Sequence, residues 1–263
     1  MFSILIVVPT LDSYQLLPRL VSSLEAQTFR NWRVLFVDGN SCSTHKEWLR
    51  DQCTKDNRFH WEEETDPGKG IFAAMNQGFK HAFEEDWLLF WGSDDMAADK
   101  DNFKKVEEAV SIAKEKPELY ICSARYYSIK SLLEGNSKLK LSRFSRFQFR
   151  KTFRNSLFWG STPPHQATFF GPGARRLVQQ YNEAYRLSGD LDYFLHLSQT
   201  KNILVFIDDL VLVLMGDSGV SRKESLKRFR EVSRSYKHYF KYQWFFPFIM
   251  RYIQRSWSNL YPR

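Results

Sequence analysis

The sequence predicts an α/β domain with a mostly parallel central sheet flanked by helices, followed by a C-terminal helical extension. Three observations carry this. Apolar runs closed by turn residues alternate with helix-periodic stretches through the first half of the chain. The order strand, helix, strand, helix argues for a parallel sheet covered on both faces. From Arg222 to the end, eleven Lys and Arg stand against two Glu, while the preceding residues hold 27 cationic against 28 acidic side chains. At 263 residues the chain is long enough for one large domain, 1–220, plus a tail, 221–263.

The first strand is "FSILIVVPT". Its lead "MFSILIVVPTLD" has no basic start and reaches Asp12 at once, so it reads as a strand rather than a signal peptide. "SYQLLPRLVSSLEAQTF" places Leu16, Leu20 and Leu24 on one helical face, with Ser13 as its cap. "WRVLFVDGNS" is a second strand closing on Asp38; "GIFAAMNQGFKHAF" is helical; "DWLLFWGSDD" is a third strand. "NFKKVEEAVSIAKEKP" is helical and "LYICSARYY" is a fourth strand. The second half is less regular. "PHQATFFGPGARRLVQQY" reads as strand, glycine turn and helix, and "SGDLDYFLHLSQ" as a helix with Asp190 and Asp192 at its start. "ILVFIDDLVLVLMGDSGVS" reads as two strands turning at Asp208 and Asp209, then a loop.

Composition removes several classes. Cys42, Cys53 and Cys122 form no CxxC pair and no even-numbered framework, which points to free thiols in a reducing compartment. Cys42 and His45 have zinc-like spacing without a second ligand pair. No apolar run approaches the roughly 20 residues of a membrane-spanning helix.

The positive charge has two seats, the tail and "KLKLSRFSRFQFRKTFR", with seven cations and no acid. Both imply an anionic partner, phosphate groups or a membrane surface. In the tail, Leu226, Phe229, Val232, Tyr236 and Phe240 recur at steps of three and four. Beyond them, Trp244, Phe245, Phe246, Phe248, Ile249, Tyr252 and Trp257 are interleaved with Arg251 and Arg255, the composition of a helix in the headgroup layer. The expectation is a cytoplasmic protein held peripherally at the inner face of a bacterial membrane. Packing of the apolar face on the domain, or on a second copy in a homo-oligomer, is the other reading.

One stretch concentrates chemistry. "FWGSDDM" ends a buried strand in Ser93, Asp94 and Asp95. Ligands of parallel α/β sheets collect at the carboxyl ends of the strands, and Asp38 closes the second strand at that edge. Capping and turn formation is the plain alternative for such acids. Carboxylates at this edge suit a hard cation, Mn²⁺ or Mg²⁺, whose remaining positions go to water and diphosphate oxygens.

The order of motifs resembles the family 2 inverting glycosyltransferases of GT-A (nucleotide-diphospho-sugar transferase) fold, and is similar to bacterial members that build surface polysaccharides. The likeness runs through "IVVPTLD", "QTFRNWRVLFVDGNSCS", "TDPGKGIFAAMNQGF", "FWGSDD" and "SGDLDYFLHL", five phrases in order over about 200 residues. It implies that Pro9, Thr10 and Asp38 lie against the nucleotide, with Lys69, Asn76, Ser93 and Asp94 also on the donor. Asp95 is the implied metal ligand and Asp190 the implied catalytic base. His165, Gln166 and Ser221 are placed near the acceptor or diphosphate. The implied partners are a nucleotide-sugar donor, UDP favoured, and a saccharide or polyprenyl-diphosphate-linked acceptor of the kind used in O-antigen assembly.

Three departures bear on sugar specificity: Gly68 where the family often has Asp, Ala73 in place of an acid, and Gly92 in place of Asn. Two other activities compete. Nucleotidyl transfer would call for a glycine-rich basic loop after the first strand, and "PTLDSYQ" is not one. Nucleic-acid binding through the tail would leave Asp38, Asp95 and Asp190 unexplained, so no nucleic-acid partner is expected.

Overall fold

The computed structural model describes residues 2–130, 139–217 and 224–260, the last four of these by their backbone only. Nine strands among them form one sheet: β1 (Ser3–Thr10), β2 (Trp32–Asp38), β3 (Phe59–Glu63), β4 (Asp86–Phe90), β5 (Met96–Ala97), β6 (Leu119–Tyr127), β7 (Leu141–Ser145), β8 (Thr168–Phe170) and β9 (Val205–Gly216). The order is β3-β2-β1-β4-β8-β6-β9-β5, with β7 added beside β6. Neighbours are parallel from β3 to β4 and at β6–β9, and antiparallel at β4–β8, β8–β6, β6–β7 and β9–β5. The first half is thus the expected parallel sheet, and short antiparallel strands extend it into a mixed one.

Side chains of β1 alternate between two buried layers. Leu5 and Val7 face one core with Phe72, Phe170 and Phe194, while Ile4, Ile6 and Val8 face the other with Leu20, Leu49 and Phe103. That period of two, apolar on both sides, is what a strand covered on both faces requires.

The helices are α1 (Leu17–Glu25), α2 (Ser43–Lys55), α3 (Ile71–His81), α4 (Asn102–Ser111), α5 (Phe153–Phe158), α6 (Pro172–Leu177), α7 (Gly189–Leu197), α8 (Ser225–Phe240) and α9 (Phe245–Leu260). In α1 the buried face is Leu17, Leu20, Val21 and Leu24, one step on from the expected Leu16. Ser13 is not its side-chain cap: the Ser13 carbonyl accepts from Leu16 and Leu17 N–H, and the hydroxyl turns to Ser93.

Asp208 and Asp209 do not make a turn between two strands. They lie within the single strand β9, where the register against β6 slips between Ile121↔Ile207 and Ser123↔Val211. Such a bulge absorbs extra residues without ending the strand. Tyr120 Oη holds it, donating to Asp208 Oδ2 at 2.8 Å.

The tail packs on the domain. Val232, Tyr236, Phe240 and Phe248 join the same buried cluster as α7, with Tyr239, Trp244 and Tyr252 against it. Phe246 stacks on Phe158 at 5.1 Å. Most of the aromatics expected among lipid headgroups therefore face protein, while Leu226, Phe245, Ile249 and Ile253 stay exposed. Part of the other basic run is also engaged: Arg143 lies over Tyr126, Arg150 over Trp159 and Arg154 over Phe240. Among the described residues no helix is long and apolar enough to cross a membrane.

Candidate active site

The parallel register of β1 and β2 sets Thr10 beside Asp38 at the carboxyl edge of the sheet. Asp38 is fully buried. Its Oδ1 accepts from Ser41 Oγ at 2.5 Å and from Thr10 Oγ1 at 3.4 Å, and its Oδ2 from the Ser41 N–H at 3.0 Å. Ser41 Oγ in turn accepts from the Asp12 N–H, and Asp12 Oδ1 from the Cys42 N–H, which stitches the turns after β1 and β2 together. The 39–41 turn thus takes up the carboxylate oxygens of Asp38, which was expected against the base or ribose. Asp38 builds the wall of this end of the cleft.

Two neighbours were missed in the sequence. His45 Nε2 lies 3.5 Å from Asp38 Oδ1, and burial holds its pKa below the usual histidine range against the pull of Asp38 and Asp12. Glu64, whose N–H donates to the Asp38 carbonyl at 2.8 Å, is buried, with its acidity weakened first by that burial and then by Asp66, Asp38 and Glu183. Its position just before "TDPGKG" was the available signal.

After β4 the chain turns tightly. Asp95 Oδ2 accepts from the Gly92 N–H at 2.6 Å, and Asp95 is 3% exposed. A β-carbon on Gly92 would fall 2.8 Å from Asp94 Oδ1, which accounts for glycine replacing the family's Asn. Ser93 Oγ donates to the Pro9 carbonyl at 3.2 Å and meets Ser13 Oγ at 2.8 Å, so it ties the acid turn to the β1 turn. Tyr127 Oη donates to the Asp94 carbonyl at 2.6 Å.

Burial raises the pKa of both acids, and the charged neighbours that push further are carboxylates, Asp217 on Asp94 and Asp94 on Asp95. Paired, desolvated carboxylates that no cationic side chain offsets among the described residues fit a hard divalent ion. Among the described residues no group of three or more His, Cys, Asp or Glu could cage one unaided, so the fit is to an ion that also takes substrate oxygens.

Asp190 stands in the first turn of α7, on an element separate from the acid pair. Its charge is felt by His165, Tyr181 and Arg255. His165 is buried, stacked on Phe90 at 5.5 Å, with Nε2 2.7 Å from Tyr181 Oη. The Gln166 carbonyl accepts from Trp91 Nε1 at 2.9 Å, joining this end to the residue after β4.

Asn76 spends its amide on Tyr181: Nδ2 donates to the Tyr181 carbonyl at 3.0 Å and Oδ1 accepts from its N–H at 2.7 Å. Nδ2 also donates to Glu183 Oε1 at 3.0 Å, so Asn76 clamps the 181–183 segment. Lys69 is half-exposed and pairs with Asp66 at 2.8 Å and Glu183 at 3.7 Å. Arg186 Nη2 donates to the Gly68 carbonyl at 2.6 Å, bringing the 65–70 loop against the approach to α7. Gly68 holds φ 88°, a left-handed conformation that favours glycine over the family's Asp.

Arg251 does not belong to a membrane-facing stripe. Arg251 is buried and donates to Thr162 Oγ1. Arg255 lies close enough to Arg251 that its pKa falls to about 9, with burial and Arg228 adding to the effect and Asp190 opposing it. Ser221 lies outside the described residues.

Residues 5–181 match the model of glycosyl transferase family 2. A PGL/p-HBAD biosynthesis glycosyltransferase of Mycobacterium tuberculosis is 26% identical over 235 residues, covering 87% of this chain and 83% of the relative. In three dimensions the chain is similar to S. aureus TarS, with a TM-score of 0.65 at 16% identity over 89% of its length; it spans 40% of that TarS chain. TarS 1-349 in complex with UDP-GlcNAc gives the same score, 66% of that chain being covered. The mannosyltransferase PcManGT of Pyrobaculum calidifontis, in complex with GDP-Man and Mn²⁺, gives 0.61 at 13% identity over 98% of this chain and 72% of its own. These structural likenesses speak for the GT-A-like fold. Through the family match over residues 5–181, the chain belongs to glycosyl transferase family 2 and is a glycosyltransferase.

Proposed function

We propose that the enzyme moves a sugar from a nucleoside-diphosphate donor, UDP-linked by preference, to a hydroxyl of a saccharide carried on polyprenyl diphosphate. It would invert the anomeric centre in one displacement, in the assembly of a bacterial surface polysaccharide such as O-antigen. The observation that carries this reading is the Asp94/Asp95 pair, with Asp95 buried and, among the described residues, carboxylates as the charged neighbours that raise both pKa values, on a different element from Asp190. UDP, UDP-GlcNAc, GDP-Man and Mn²⁺ in the structurally similar enzymes support it by analogy.

Asp95, with Asp94, would hold Mn²⁺ or Mg²⁺, which when bound supplies positive charge against the departing diphosphate. Asp190 accepts the proton of the acceptor hydroxyl as its oxygen bonds to the anomeric carbon and the bond from that carbon to the phosphate oxygen breaks. A base set apart from the metal carboxylates stays free to take that proton. The stitched turns at Thr10, Asp38 and Ser41 give the nucleotide a rigid wall, and Lys69 stands on the 65–70 loop near it. Neutral His165 and the Gln166 backbone would line the acceptor side. Arg228 and Arg255 would meet an anionic acceptor there, a lipid-linked diphosphate being the fitting chemistry.

Phe245, Ile249 and Ile253, exposed at i, i+4 and i+8 of α9, support peripheral attachment to the inner membrane leaflet through that stripe. A thermal-shift panel of UDP-, GDP- and dTDP-sugars with and without Mn²⁺ tests the reading, since a ligand of the folded state raises its melting temperature. A Mn²⁺-dependent rise with one UDP-sugar is expected. No rise with any donor would refute it.

A further inference from the structure

The segment entering α7 lacks a cap of its own: Ser188, the N-cap residue, makes no side-chain capping bond. The tail instead tethers the residues that lead into it. Glu231 of α8 accepts three backbone N–H bonds, from Arg186 to Oε1 at 3.0 Å and from Leu187 and Ser188 to Oε2 at 2.8 and 2.9 Å. Glu231 is itself buried, so the bonds form away from competing water and, being charge-assisted, are stronger than neutral ones. Asp190 follows two residues after Ser188. Farther along the same pair of helices, Asp192 is buried beside α8, and that burial raises its pKa. On the other side of the segment, Gly189 packs so closely on Phe72 that a β-carbon would sit 2.8 Å from the ring.

We infer that Glu231 is the positioning residue for the catalytic base, and that the C-terminal helices thereby complete the active site. The inference rests on Asp190 being that base. Glu231 touches no substrate. It fixes where the first turn of α7 begins, and a displacement of an ångström in a reacting group costs on the order of 100-fold in rate. In Glu231→Gln the carbonyl oxygen keeps part of the acceptor set while the new amide N–H₂ faces a backbone donor, so the turn loosens. In Glu231→Asp the carboxylate is kept on a shorter arm.

The test uses the full chain. Each of the wild type, Glu231→Gln, Glu231→Asp and Asp190→Asn is assayed for UDP affinity with Mn²⁺ by calorimetry. Turnover is read as UDP release from whichever UDP-sugar the wild type consumes, and hydrogen exchange is followed over residues 186–192. Glu231→Gln should bind UDP within about threefold of the wild type, exchange faster over 186–192, and turn over at least about tenfold more slowly with KM little changed. Glu231→Asp should recover part of the rate. Faster exchange in Glu231→Gln with a wild-type rate would overturn the inference, as would equal losses in UDP affinity and rate. A wild-type rate in Asp190→Asn would instead remove the base reading, and this inference with it. An inactive Asp190→Asn beside a fully active Glu231→Gln removes the inference alone.

Discussion

His165 Nε2 and the Tyr181 hydroxyl meet at 2.7 Å inside the core, within reach of the charge of Asp190. Burial brings the His165 pKa down to about 4, although the charge of Asp190 pulls the other way. The ring is therefore neutral at pH 7. In the unfolded chain it would titrate near 6.5, so between pH 6.5 and about 4 the unfolded state binds the proton and the folded state does not. Its contribution is complete above pH 6.5 and is lost as the pH falls toward 4, to the extent of about 3 kcal/mol. Urea unfolding from pH 7.5 to 4.5 should show His165→Asn, whatever its starting stability, losing less over that window than the wild type. Parallel curves would rule out the buried neutral ring.

Gly216 ends β9 against Asp94. A β-carbon there would enter the space of the Asp94 carboxylate and crowd Ile129 Cδ1. Gly216→Ala must push Asp94 aside, at a cost of about 1–3 kcal/mol. The expected result is a folded protein whose affinity for UDP with Mn²⁺ falls about tenfold or more by calorimetry, while UDP binding in the presence of EDTA changes little.

Asp95 illustrates a site that opposes stability. Its carboxylate is buried and hydrogen-bonded by Gly92, with Asp94 pressing on it, and uncompensated buried charge is costly. Asp95→Asn should melt higher than the wild type when both are stripped with EDTA. Saturating UDP and Mn²⁺ should stabilise the wild type by about 2.7 kcal/mol at a hundred times Kd, and the variant hardly at all. A variant that melts lower without metal and keeps the full ligand-induced shift would contradict this account.

The local signals of this fold were readable where a strand is buried on both faces. β6 coincides with its apolar run "LYICSARYY", and β1 with all but the first residue of its own. Helix α2 was not readable, because its buried face is His45, Leu49 and Gln52, which gives almost no apolar period. Strand β3, "FHWEE", buries only Phe59 well. In the site, the acids and their order were legible from motif spacing. What each acid touches was not, since Asp38 is closed in by a turn and Glu231 tethers a segment 43 residues earlier in the chain. Contacts of that range leave no local pattern.

The tail offers the last prediction, and it changes how membrane attachment has to be examined. Cutting the chain at Ser221 would remove Val232, Tyr236, Phe240 and Phe248 from the core, along with the Glu231 tether. Burying side chains of this size contributes about 1.5–3 kcal/mol each, so the truncated protein should fail to fold and cannot report on lipid binding. The exposed stripe can be altered without touching that core. Phe245→Ser, Ile249→Ser and Ile253→Ser together change residues that are exposed. The triple variant should keep its melting temperature within a few degrees and still bind UDP, yet fail to float with liposomes containing anionic lipid, where the wild type floats. If the wild type stays at the bottom of the gradient and sediments as a dimer that the triple variant does not form, the stripe is a contact between two copies of the chain.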